Sequence, residues 1–415
     1  MVRIHHAPPG TPDFYPLPAQ KVRSIAYRMR RVSILGATGS IGKQALDVLS
    51  LFPERFILEG ISLHRQIEAI PNLLARYRPK WIAITDSQAY QRLLQEDGLW
   101  REVEVLSIEG LYEKLAVDPG EVVLNAIVGA VGFWASWHTL RGPALLALAN
   151  KESLVFGGAW LSSYRSRIIP VDSEHSALFQ CLTGEEPNAV ARLILTASGG
   201  PFRGRKASDL AQVSPQEALS HPVWRMGNRI TIDSATLMNK ALELIEAHWL
   251  FGISHHQIEA WVHPQCIVHS LVEFIDGSLK AQLSLPDMRL PILYALAYPE
   301  RLSWEDAPYR IPRLSQLHFE AIDEETFPSL QLARKALDKS IAAPALLNAA
   351  DEVAVEYFLQ GRMRFLEIFD ILDWALTQPE AGENPTSPQE LTLLEKDFRK
   401  KVQSYLYSCK AKASS

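Results

Sequence analysis

Two carboxylates separated by one residue, Asp172 and Glu174, directly follow an apolar run that ends at Val171. If the chain is extended here, side chains at alternate positions point to the same side of the backbone. Like charges held this close repel each other unless a proton or a cation lies between them, and a hard divalent metal prefers such oxygen ligands. The spacing therefore predicts a metal site, although an Asp-x-Glu pair also fits a solvated turn.

A third carboxylate that could complete this site is Glu243, which falls in a predicted helix over residues 235–250. The helical period gathers the polar residues of that segment on one side, namely Asn239, Lys240, Glu243 and Glu246. Ser234 is the predicted N-cap. Ser234, Asn239 and Lys240 could then bind a phosphate at the helix start while Glu243 reaches the metal. The alternative is a solvated amphipathic helix with a Lys–Glu pair.

A glycine turn lies between a predicted strand at Val32–Leu35 and a predicted helix that starts near Lys43. Its sequence is Gly36-Ala-Thr-Gly39-Ser-Ile-Gly42. Glycines let the backbone approach a pyrophosphate closely, and the free N–H groups of the helix start then stabilise its charge. The turn indicates a dinucleotide-binding fold.

The end of the second predicted strand, Phe56–Leu63, bears on the choice of nicotinamide cofactor. The residues that follow it are His64, Arg65 and Gln66, which include a cation and no carboxylate. A cation here favours the 2′-phosphate of NADP. The alternative is that Arg65 is an ordinary surface cation.

Further strand-like runs alternate with helical patterns, which predicts a mainly parallel sheet covered on both faces. These predicted strands are Trp81–Thr85, Glu104–Ile108, Val122–Val128 and Ala144–Ala149. The segment from Ala149 to Ser153 then falls at a strand end, where ligands bind in such sheets, and Lys151 would stand beside the nicotinamide. A plain helix cap is the alternative for Asn-Lys-Glu-Ser. Ser198, Gly199 and Gly200 follow another strand and fit either a phosphate-binding turn or any tight turn.

The segment around His221–Gly227 is polar yet contains Trp224 and Met226, which are costly to expose. Residues from about Pro201 to Asn228, which include this segment, could be a lid over the site or a fixed contact with a neighbouring domain. Beyond it, strands between Ile258 and Leu285 are broken by Asp276-Gly277, a hairpin signal. Residues 300–328 resemble a linker, and the pattern from Phe327 onward predicts a small helical bundle.

Composition limits the classes of function. A chain of 415 residues that is 47% hydrophobic is expected to form two or three domains. A net charge of -5 without basic clusters argues against binding to nucleic acid or anionic membranes. Three cysteines without metal or redox spacing fit a reducing compartment, and no apolar run reaches the roughly 18 to 20 residues that cross a bilayer. A cytoplasmic location is the simplest expectation, with a plastid transit segment as the alternative reading of the Pro-rich, basic residues 1–31.

Taken in order, the motifs resemble one family, 1-deoxy-D-xylulose 5-phosphate reductoisomerase, from about Val32 to the C-terminal helices. They are GATGSIG at 36–42, NAIVGAVG at 125–132, LANKESLV at 148–155, PVDSEHSALFQ at 170–180, SGGPF at 198–202, HPVWRMGN at 221–228, IDSATLMNKALELIEAHWLF at 232–251 and HPQCIVHS at 263–270. The resemblance implies an enzyme that rearranges and reduces 1-deoxy-D-xylulose 5-phosphate to 2-C-methyl-D-erythritol 4-phosphate in the non-mevalonate isoprenoid pathway. It also implies a homodimer that uses NADPH and one Mg²⁺ or Mn²⁺ per subunit.

The implied fold class is α/β, with an N-terminal Rossmann-like NADPH-binding domain, a central α/β catalytic domain with a dimerisation sheet, and a C-terminal helical bundle. On this sequence the expected divisions are a flexible extension at 1–31, the NADPH-binding domain at 32–171, the catalytic and dimerisation domain at 172–299, a linker at 300–328 and the helical domain at 329–415.

The resemblance also implies roles for individual residues. The metal ligands would be Asp172, Glu174 and Glu243. The catalytic residues would be Lys151, Glu174 and His221, and the substrate would contact Lys151, Ser173, Glu174, Ser198, His221, Trp224, Ser234, Asn239, Lys240 and Glu243. The cofactor would contact Thr38, Gly39, Ser40, Ile41, Asn150, Glu152 and Gly227. The reading of the end of the second strand adds His64, Arg65 and Gln66, where the sequence departs from the family by lacking a small residue and a glycine before the cation.

Two other classes of protein share part of this pattern. A simple NADP-dependent dehydrogenase would explain the glycine turn but not a site with three carboxylates. A dinucleotide-sensing protein would bind NADPH without turnover. Metal-dependent consumption of NADPH with the sugar phosphate distinguishes the reductoisomerase from both.

Overall fold

The computed structural model describes residues 29–96, 98–220, 227–304 and 316–413. Its first layer is a parallel sheet of seven strands in the order β4-β3-β2-β1-β5-β6-β7. From β1 the chain moves outward to β4 and then returns to β5 on the other side of β1, which creates the crevice where such sheets bind ligands. The strands are β1 (Arg30–Leu35), β2 (Phe56–Leu63), β3 (Trp81–Ile84), β4 (Glu104–Leu106), β5 (Val122–Asn125), β6 (Leu145–Leu148) and β7 (Ile168–Pro170).

Helices connect these strands and cover the sheet, because its strands carry apolar side chains toward both faces. Side-chain caps fix two of the starts: Asp86 accepts a hydrogen bond from the N–H of Ala89 at 2.9 Å, and Ser107 accepts one from Gly110 at 3.3 Å. The helices are α1 (Ser40–Leu51), α2 (Ile70–Tyr77), α3 (Ser87–Gln95), α4 (Ile108–Val117), α5 (Gly132–Arg141) and α6 (Glu152–Leu161).

The first strand begins two residues earlier than predicted, so Arg30 and Arg31 are not part of an extension. The Arg30 guanidinium donates hydrogen bonds to the carbonyls of Leu296 and Tyr298, both at 2.8 Å, and Arg31 pairs with Asp118 at 3.0 Å. These contacts anchor two cations that composition alone assigned to a basic tail. Residues 1–28 lie outside the described residues.

Two predicted strands are shorter than expected because side chains turn the chain at their ends. The strand predicted through Val128 ends at Asn125, whose side-chain Oδ1 accepts from the N–H of Ile127 at 3.1 Å and whose side-chain Nδ2 donates to the carbonyl oxygen of Gly132 at 2.8 Å. The strand predicted to Ile108 ends at Leu106, because Ser107 caps α4. Both ends leave polar groups at the carboxyl edge of the sheet.

A second sheet of five strands has the order β11-β10-β8-β9-β12. Its strands are β8 (Val190–Ala197), β9 (Ile258–Val262), β10 (Val268–Phe274), β11 (Leu279–Leu283) and β12 (Glu320–Ala321). The β8–β9 pair is parallel and the others are antiparallel. The hairpin predicted at Asp276-Gly277 is confirmed, since Asp276 accepts from the N–H of Ser278 at 2.9 Å. The predicted linker at 300–328 is partly wrong because it contains β12, and its residues 305–315 lie outside the described residues.

Five helices accompany the second sheet: α7 (Ser173–Leu182), α8 (Ala207–Leu210), α9 (Pro215–Ala218), α10 (Asn228–Ala235) and α11 (Met238–Phe251). They are followed by α12 (Arg289–Ala297), which packs against α1 and α7. Helix α7 packs on β10, and α11 packs on α6. These contacts bring the start of α7, the start of α6 and the buried face of α11 to one place.

The chain ends in α13 (Ser329–Lys339), α14 (Ala343–Leu359), α15 (Glu367–Thr377) and α16 (Pro388–Ala413), close to the positions that the apolar pattern predicts. Helix α14 lies at their centre and is buried along most of its length. It contacts α6 and α10, and α13 packs on α11. The C-terminal helices therefore support the helices that carry the site residues. Among the described residues, no helix combines the length and the apolar character needed to span a membrane.

Candidate active site

Asp172 and Glu174 lie at the start of a helix, so the prediction that they end an extended strand is wrong. Strand β7 ends at Pro170, and Asp172 is the N-cap residue of α7 with φ −51° and ψ 133°. Glu174 is in the first helical turn. The two carboxylates still converge, because the N-terminal end of a helix holds neighbouring acidic side chains on the side where its N–H groups are free.

Glu243 of α11 completes a cluster of three carboxylates. One oxygen each from Asp172, Glu174 and Glu243 lie within 4.8 Å of one another, and Glu243 is 1% exposed. An all-oxygen set of this size suits Mg²⁺ or Mn²⁺, which are hard cations. The structure thus brings together the three residues that the sequence predicted as metal ligands, and they fit a divalent ion.

Two lysines lie among these carboxylates. The Lys151 ammonium is 2.7 Å from Asp172 and 2.9 Å from Glu243. The Lys240 ammonium is 2.7 Å from Glu174 and also contacts Glu243. Three carboxylates and two ammonium groups leave one negative charge in excess when all are ionised. A divalent ion would therefore compete with the lysines for the same oxygens.

The surroundings of Asp172 and Glu174 shift the pKa values of the two carboxyl groups in opposite directions. Burial and the negative charge of Glu243 raise the pKa of Glu174 to about 7, although Lys240 opposes this. Burial acts in the same direction on Asp172, but Lys151 and His175 together outweigh it and hold the pKa of that carboxyl well below its usual range. Asp172 is therefore a carboxylate at neutral pH, whereas Glu174 holds a proton more readily than Asp172 does.

The lysine itself stays charged. Burial disfavours the ammonium of Lys151, yet the carboxylates of Asp172 and Glu243 hold its pKa well above the usual value. Its Nζ also donates to Asn239 at 2.9 Å. Lys151 can therefore act as a fixed positive charge and hydrogen-bond donor, but not as a base.

The predicted helix over residues 235–250 corresponds to α11, which begins at Met238, three residues later than predicted, because the chain breaks between α10 and α11. The break lies at Thr236 and Leu237, where Leu237 has a left-handed φ of 59°. Ser234 is in the last turn of α10, so the prediction that it caps the second helix is wrong. The hydroxyl of Thr236 instead accepts from the N–H of Met238 at 3.2 Å. The break turns Asn239 and Lys240 toward the carboxylates.

The turn after β8 packs against the end of α10. Gly200 has a φ of 67°, and a Cβ atom there would lie 2.6 Å from the carbonyl oxygen of Ser234, so only glycine fits. The Ser198 hydroxyl accepts from the N–H of Gly200 at 3.2 Å. This close approach places Ser198 and Ser234 on the wall of one cavity.

One cavity of about 660 Å³ joins most of the predicted residues. At the cofactor end it is lined by Gly39, Ser40, Ile41, Asn150, Glu152 and Gly227. At the other end it is lined by Lys151, Asp172, Ser173, Glu174, Ser198, Ser234, Asn239, Lys240 and Glu243. Thr38, His64, Arg65 and Gln66 do not line it. His221, Trp224 and Met226 lie outside the described residues. Of the predicted lid from about Pro201 to Asn228, the structure describes residues 201–220, which include α8 and α9, and residues 227–228.

The glycine turn after β1 has the geometry that a dinucleotide requires. Gly36 has a φ of 79°, and a Cβ atom there would lie 2.7 Å from the carbonyl oxygen of Ala126 at the end of β5. The turn therefore lies against the crevice between β1 and β5, and α1 starts beyond it with Gly39 as its N-cap residue. The free N–H groups of that helix start fit a pyrophosphate.

Asn150 and Lys151, in the segment after β6, have different roles. Asn150 accepts from the N–H of Ser153 at 2.9 Å and donates to Glu152 at 2.9 Å, so it stabilises the start of α6 as the cap reading proposed. Lys151 points instead into the carboxylate cluster. The cap reading therefore describes Asn150, whereas the placement of Lys151 beside the nicotinamide stays a prediction.

Arg65 has a carboxylate partner that the local sequence did not reveal. Its Nε donates to Asp86 at 2.8 Å, and Asp86 comes from the end of β3, the neighbouring strand. The prediction of a cation without a carboxylate at this place is therefore wrong. The Arg65 side chain is still 73% exposed. Glu59, by contrast, is buried, pairs with Lys80 at 3.1 Å and does not line the cavity.

Sequence reasoning missed His175, which is fully buried behind the carboxylates. Its Nε2 bonds the carbonyl oxygen of Glu243 at 2.9 Å, and its Nδ1 lies 3.5 Å from Glu246 and 3.7 Å from Asp172. Burial opposes a charge on this ring, but the carboxylates of Glu246 and Asp172 raise the pKa of His175 to about 9. The imidazole thus ties α7 to α11. Its position three residues after Asp172 on a helix was the available signal.

Arg229, also missed, joins α10 to the C-terminal helices. Its guanidinium is 2.5 Å from Glu352 and 2.8 Å from Asn348 of α14, and 3.5 Å from Glu152 of α6. Because Glu152 and Arg229 both line the cavity, α14 helps to shape its cofactor end.

Comparisons with known proteins agree with this geometry. Three family models match the sequence: 1-deoxy-D-xylulose 5-phosphate reductoisomerase over residues 32–158, the C-terminal domain of that enzyme over 168–251, and a DXP reductoisomerase C-terminal domain over 283–401. Two relatives carry the name 1-deoxy-D-xylulose 5-phosphate reductoisomerase. The one from Symbiobacterium thermophilum is 47% identical, over 85% of this chain and 93% of its own length. The one from Geobacillus sp. strain WCH70 is 44% identical, over 91% of this chain and 100% of its own length.

Two solved structures are also similar. A DOX-P reductoisomerase in complex with NADPH, fosmidomycin and magnesium superposes with a TM-score of 0.85 at 35% identity, over 92% of this chain and 99% of that one. The reductoisomerase from Zymomonas mobilis in complex with NADPH superposes with a TM-score of 0.83 at 36% identity, over 91% of this chain and 99% of that one.

Proposed function

Because the chain belongs to the 1-deoxy-D-xylulose 5-phosphate reductoisomerase family, we propose that Asp172, Glu174 and Glu243 hold the divalent cation of this enzyme. The enzyme converts 1-deoxy-D-xylulose 5-phosphate to 2-C-methyl-D-erythritol 4-phosphate with NADPH, in isoprenoid biosynthesis. The observation that carries the assignment is that three carboxylates and a dinucleotide-type glycine turn open into one cavity.

We propose that the substrate lies between the carboxylate cluster and the turn after β8. Lys151, Ser173 and Glu174 would face its hydroxyketone end, while Ser198, Ser234, Asn239 and Lys240 would face its phosphate. The cavity carries the hydroxyl and amide groups that charge-assisted hydrogen bonds to a phosphate require. His221, as a catalytic and substrate contact, and Trp224, as a cover over the substrate, belong to the same proposal, although both lie outside the described residues.

The cofactor would occupy the other end of the cavity, against Gly39, Ser40, Ile41, Asn150, Glu152 and Gly227. Thr38 would contact it from within the glycine turn. His64, Arg65 and Gln66 follow β2 and would meet the 2′-phosphate, which lies farthest from the nicotinamide. The carboxyl edge of the parallel sheet supports this placement, since dinucleotides bind across it.

When bound, the divalent ion would polarise the substrate's oxygens as a Lewis acid, and NADPH would supply the hydride. The protein's own groups orient and protect the substrate. Lys151 holds a positive charge and a proton at Nζ beside Asp172 and Glu243. Ser173 and Glu174 begin α7, so its free N–H groups add positive potential near the reacting oxygens. Binding energy from the remote phosphate would help to exclude water.

The activity of the purified chain tests this function directly. NADPH oxidation should require both 1-deoxy-D-xylulose 5-phosphate and Mn²⁺ or Mg²⁺. Turnover that persists after chelation of metals would indicate a simple dehydrogenase. Binding of NADPH without any turnover would indicate a dinucleotide sensor.

The Arg65→Ala variant is expected to lose about 1.5 to 3 kcal/mol of NADPH affinity, the value of a charge-assisted hydrogen bond to a phosphate. Affinity for NADH should change little, because NADH lacks the 2′-phosphate. Fluorescence titration with both cofactors measures the difference. Arg92→Ala is a matched control, since Arg92 is a surface arginine that pairs with Glu68 at 2.8 Å. An equal loss of affinity for both cofactors would indicate that Arg65 has only a structural role, through its contact with Asp86.

We also propose a cytoplasmic homodimer formed through the second sheet. Its edge strand β11 begins with Leu279, which is 52% exposed, and the preceding turn carries Ile275, which is 73% exposed. Pairing with a second copy would cover this apolar edge. A monomer mass by light scattering at all concentrations would contradict the dimer.

We also propose that the chain is divided into units at residues 32–171, 172–299 and 329–415.

A further inference from the structure

Two adjacent histidines and an aspartate form a second group of potential metal ligands, outside the active-site cavity. His255 and His256 follow α11 in a short 3₁₀ turn, and Asp338 lies in the last turn of α13. The Oδ1 atom of Asp338 is 2.9 Å from Nε2 of His255 and 3.6 Å from Nε2 of His256. All three ligand atoms lie within 4.8 Å of one another.

The backbone holds the histidines in this arrangement. Helix α11 ends at Phe251, and Gly252, with a left-handed φ of 64°, turns the chain. The Ser254 hydroxyl then accepts from the N–H of His256 at 3.4 Å. The two rings are 4.1 Å apart between centroids and are tilted by 45°. Because α13 packs on α11, Asp338 meets the rings from the opposite side.

The site is open to solvent on one side only. His255 is buried, whereas the side chains of His256 and Asp338 are 66% and 55% exposed. The nearby Arg334 does not compete for Asp338, because its guanidinium bonds Glu324 at 3.2 Å and the carbonyl oxygen of Ile258 at 3.3 Å. An ion could therefore enter from solvent and keep water as a further ligand.

Two imidazole nitrogens and one carboxylate oxygen form a donor set of a different kind from the three carboxylates of the active site. Nitrogen ligands select transition metals such as Zn²⁺, whereas Mg²⁺ prefers oxygen. With metal–ligand bonds of about 2.0 to 2.1 Å, tetrahedral ligands are separated by about 3.3 Å. The observed separations of 2.9 and 3.6 Å bracket that value.

We propose that His255, His256 and Asp338 bind one transition-metal ion of the Zn²⁺ class, with water completing its coordination. The ion would join the turn after α11 to the last turn of α13. It would thereby fasten the C-terminal helices to the helix that carries Asn239, Lys240 and Glu243. Such a link stabilises the folded chain, because the unfolded chain does not hold the three ligands together.

The test is a titration of the full chain, without an affinity tag, with Zn²⁺ in the presence of excess Mg²⁺ to occupy the carboxylate site. We expect calorimetry to detect a Zn²⁺ site whose occupation raises the thermal midpoint. His256→Gln and Asp338→Asn should each weaken it at least about tenfold, the smallest loss typical when a metal site loses a supporting group. Co²⁺ in place of Zn²⁺ should give the strong visible absorption of a tetrahedral site.

Two controls separate this site from other sources of binding. Asp373→Asn removes a comparable half-exposed carboxylate, which pairs with Lys335 at 3.0 Å, and should leave Zn²⁺ affinity unchanged. His5 and His6 form another histidine pair in the sequence, so a His5→Gln/His6→Gln variant should also retain the site. Wild-type Zn²⁺ affinity in His256→Gln would overturn the proposal, as would loss of the site in the His5→Gln/His6→Gln variant. Circular dichroism shows whether each variant is folded. If Asp338→Asn does not fold, the Zn²⁺ affinity of His256→Gln decides the test.

Discussion

Glu243→Gln is expected to reduce turnover by at least about a hundredfold while NADPH still binds. Loss of a group that supports a metal ligand lowers metal affinity or activity about 10- to 100-fold, and loss of the ligand charge itself should lower them further. Glutamine keeps the shape of the side chain and can still accept from Lys151 or Asn239, which both lie within hydrogen-bond distance. The change therefore removes chiefly the negative charge that a divalent ion requires. Steady-state kinetics and calorimetry with Mn²⁺ measure the two effects.

A matched control for Glu243→Gln is Glu59→Gln. Glu59 is also a buried glutamate with cationic partners, Lys80 at 3.1 Å and Arg31 at 3.4 Å, but it lies outside the cavity. The control should lose some stability and keep its Mn²⁺ affinity and kcat. Near-normal turnover of Glu243→Gln at modest Mn²⁺ would contradict the ligand assignment. A comparable loss of kcat in both variants would point to a general effect of removing a buried carboxylate charge.

The parts of the site that the sequence predicted are those that depend on local pattern. The glycine turn, the alternation of strands and helices, and the set of Asp172, Glu174 and Glu243 follow from residue type and spacing. The same holds for the hairpin at Asp276-Gly277, because a two-residue signal determines the turn. Each of these patterns lies within one segment of neighbouring residues, although Glu243 belongs to a different segment from Asp172 and Glu174.

The errors arise where a tertiary contact overrides a local preference. The sequence 235–250 has an uninterrupted helical period, yet the chain breaks at Leu237, and the turn at Gly200 packs against Ser234 just before it. Asp86 reaches Arg65 only because β3 pairs with β2. Asp172 was assigned to a strand because the apolar run before it continues through Val171, whereas the structure starts α7 there. The residues of each segment alone do not predict these features.

His175 illustrates a residue whose role depends wholly on burial. On the sequence it is one more histidine in a helical stretch, and its partners Glu243 and Glu246 lie some seventy positions later. Both carboxylate oxygens of Glu246 and the Nδ1 of His175 are buried without a hydrogen-bond partner among the described residues. The pairing of His175 with Glu246 is therefore mainly electrostatic. The contact of the His175 ring with the carbonyl oxygen of Glu243 positions that part of α11.

Lys151→Met is expected to lower kcat by about 10²- to 10⁴-fold, the range for a group that transfers or holds a proton in the transition state. Methionine keeps the length of the side chain and removes its charge. The structure adds a second expectation that distinguishes this variant from a metal-ligand variant. Because the Lys151 ammonium contacts Asp172 and Glu243, its removal frees two carboxylates, so Mn²⁺ should bind at least as tightly as before.

Lys401→Met provides the control for loss of a lysine from an ion pair, because Lys401 contacts Glu380 at 2.8 Å in the C-terminal helices. It should leave kcat and Mn²⁺ affinity unchanged. If Lys151→Met lost Mn²⁺ affinity in proportion to kcat, the lysine would act by organising the carboxylates rather than by contacting the substrate. If kcat fell while Mn²⁺ and NADPH affinities were retained, Lys151 would act on the reacting groups, because only an interaction made in the transition state lowers kcat without weakening binding.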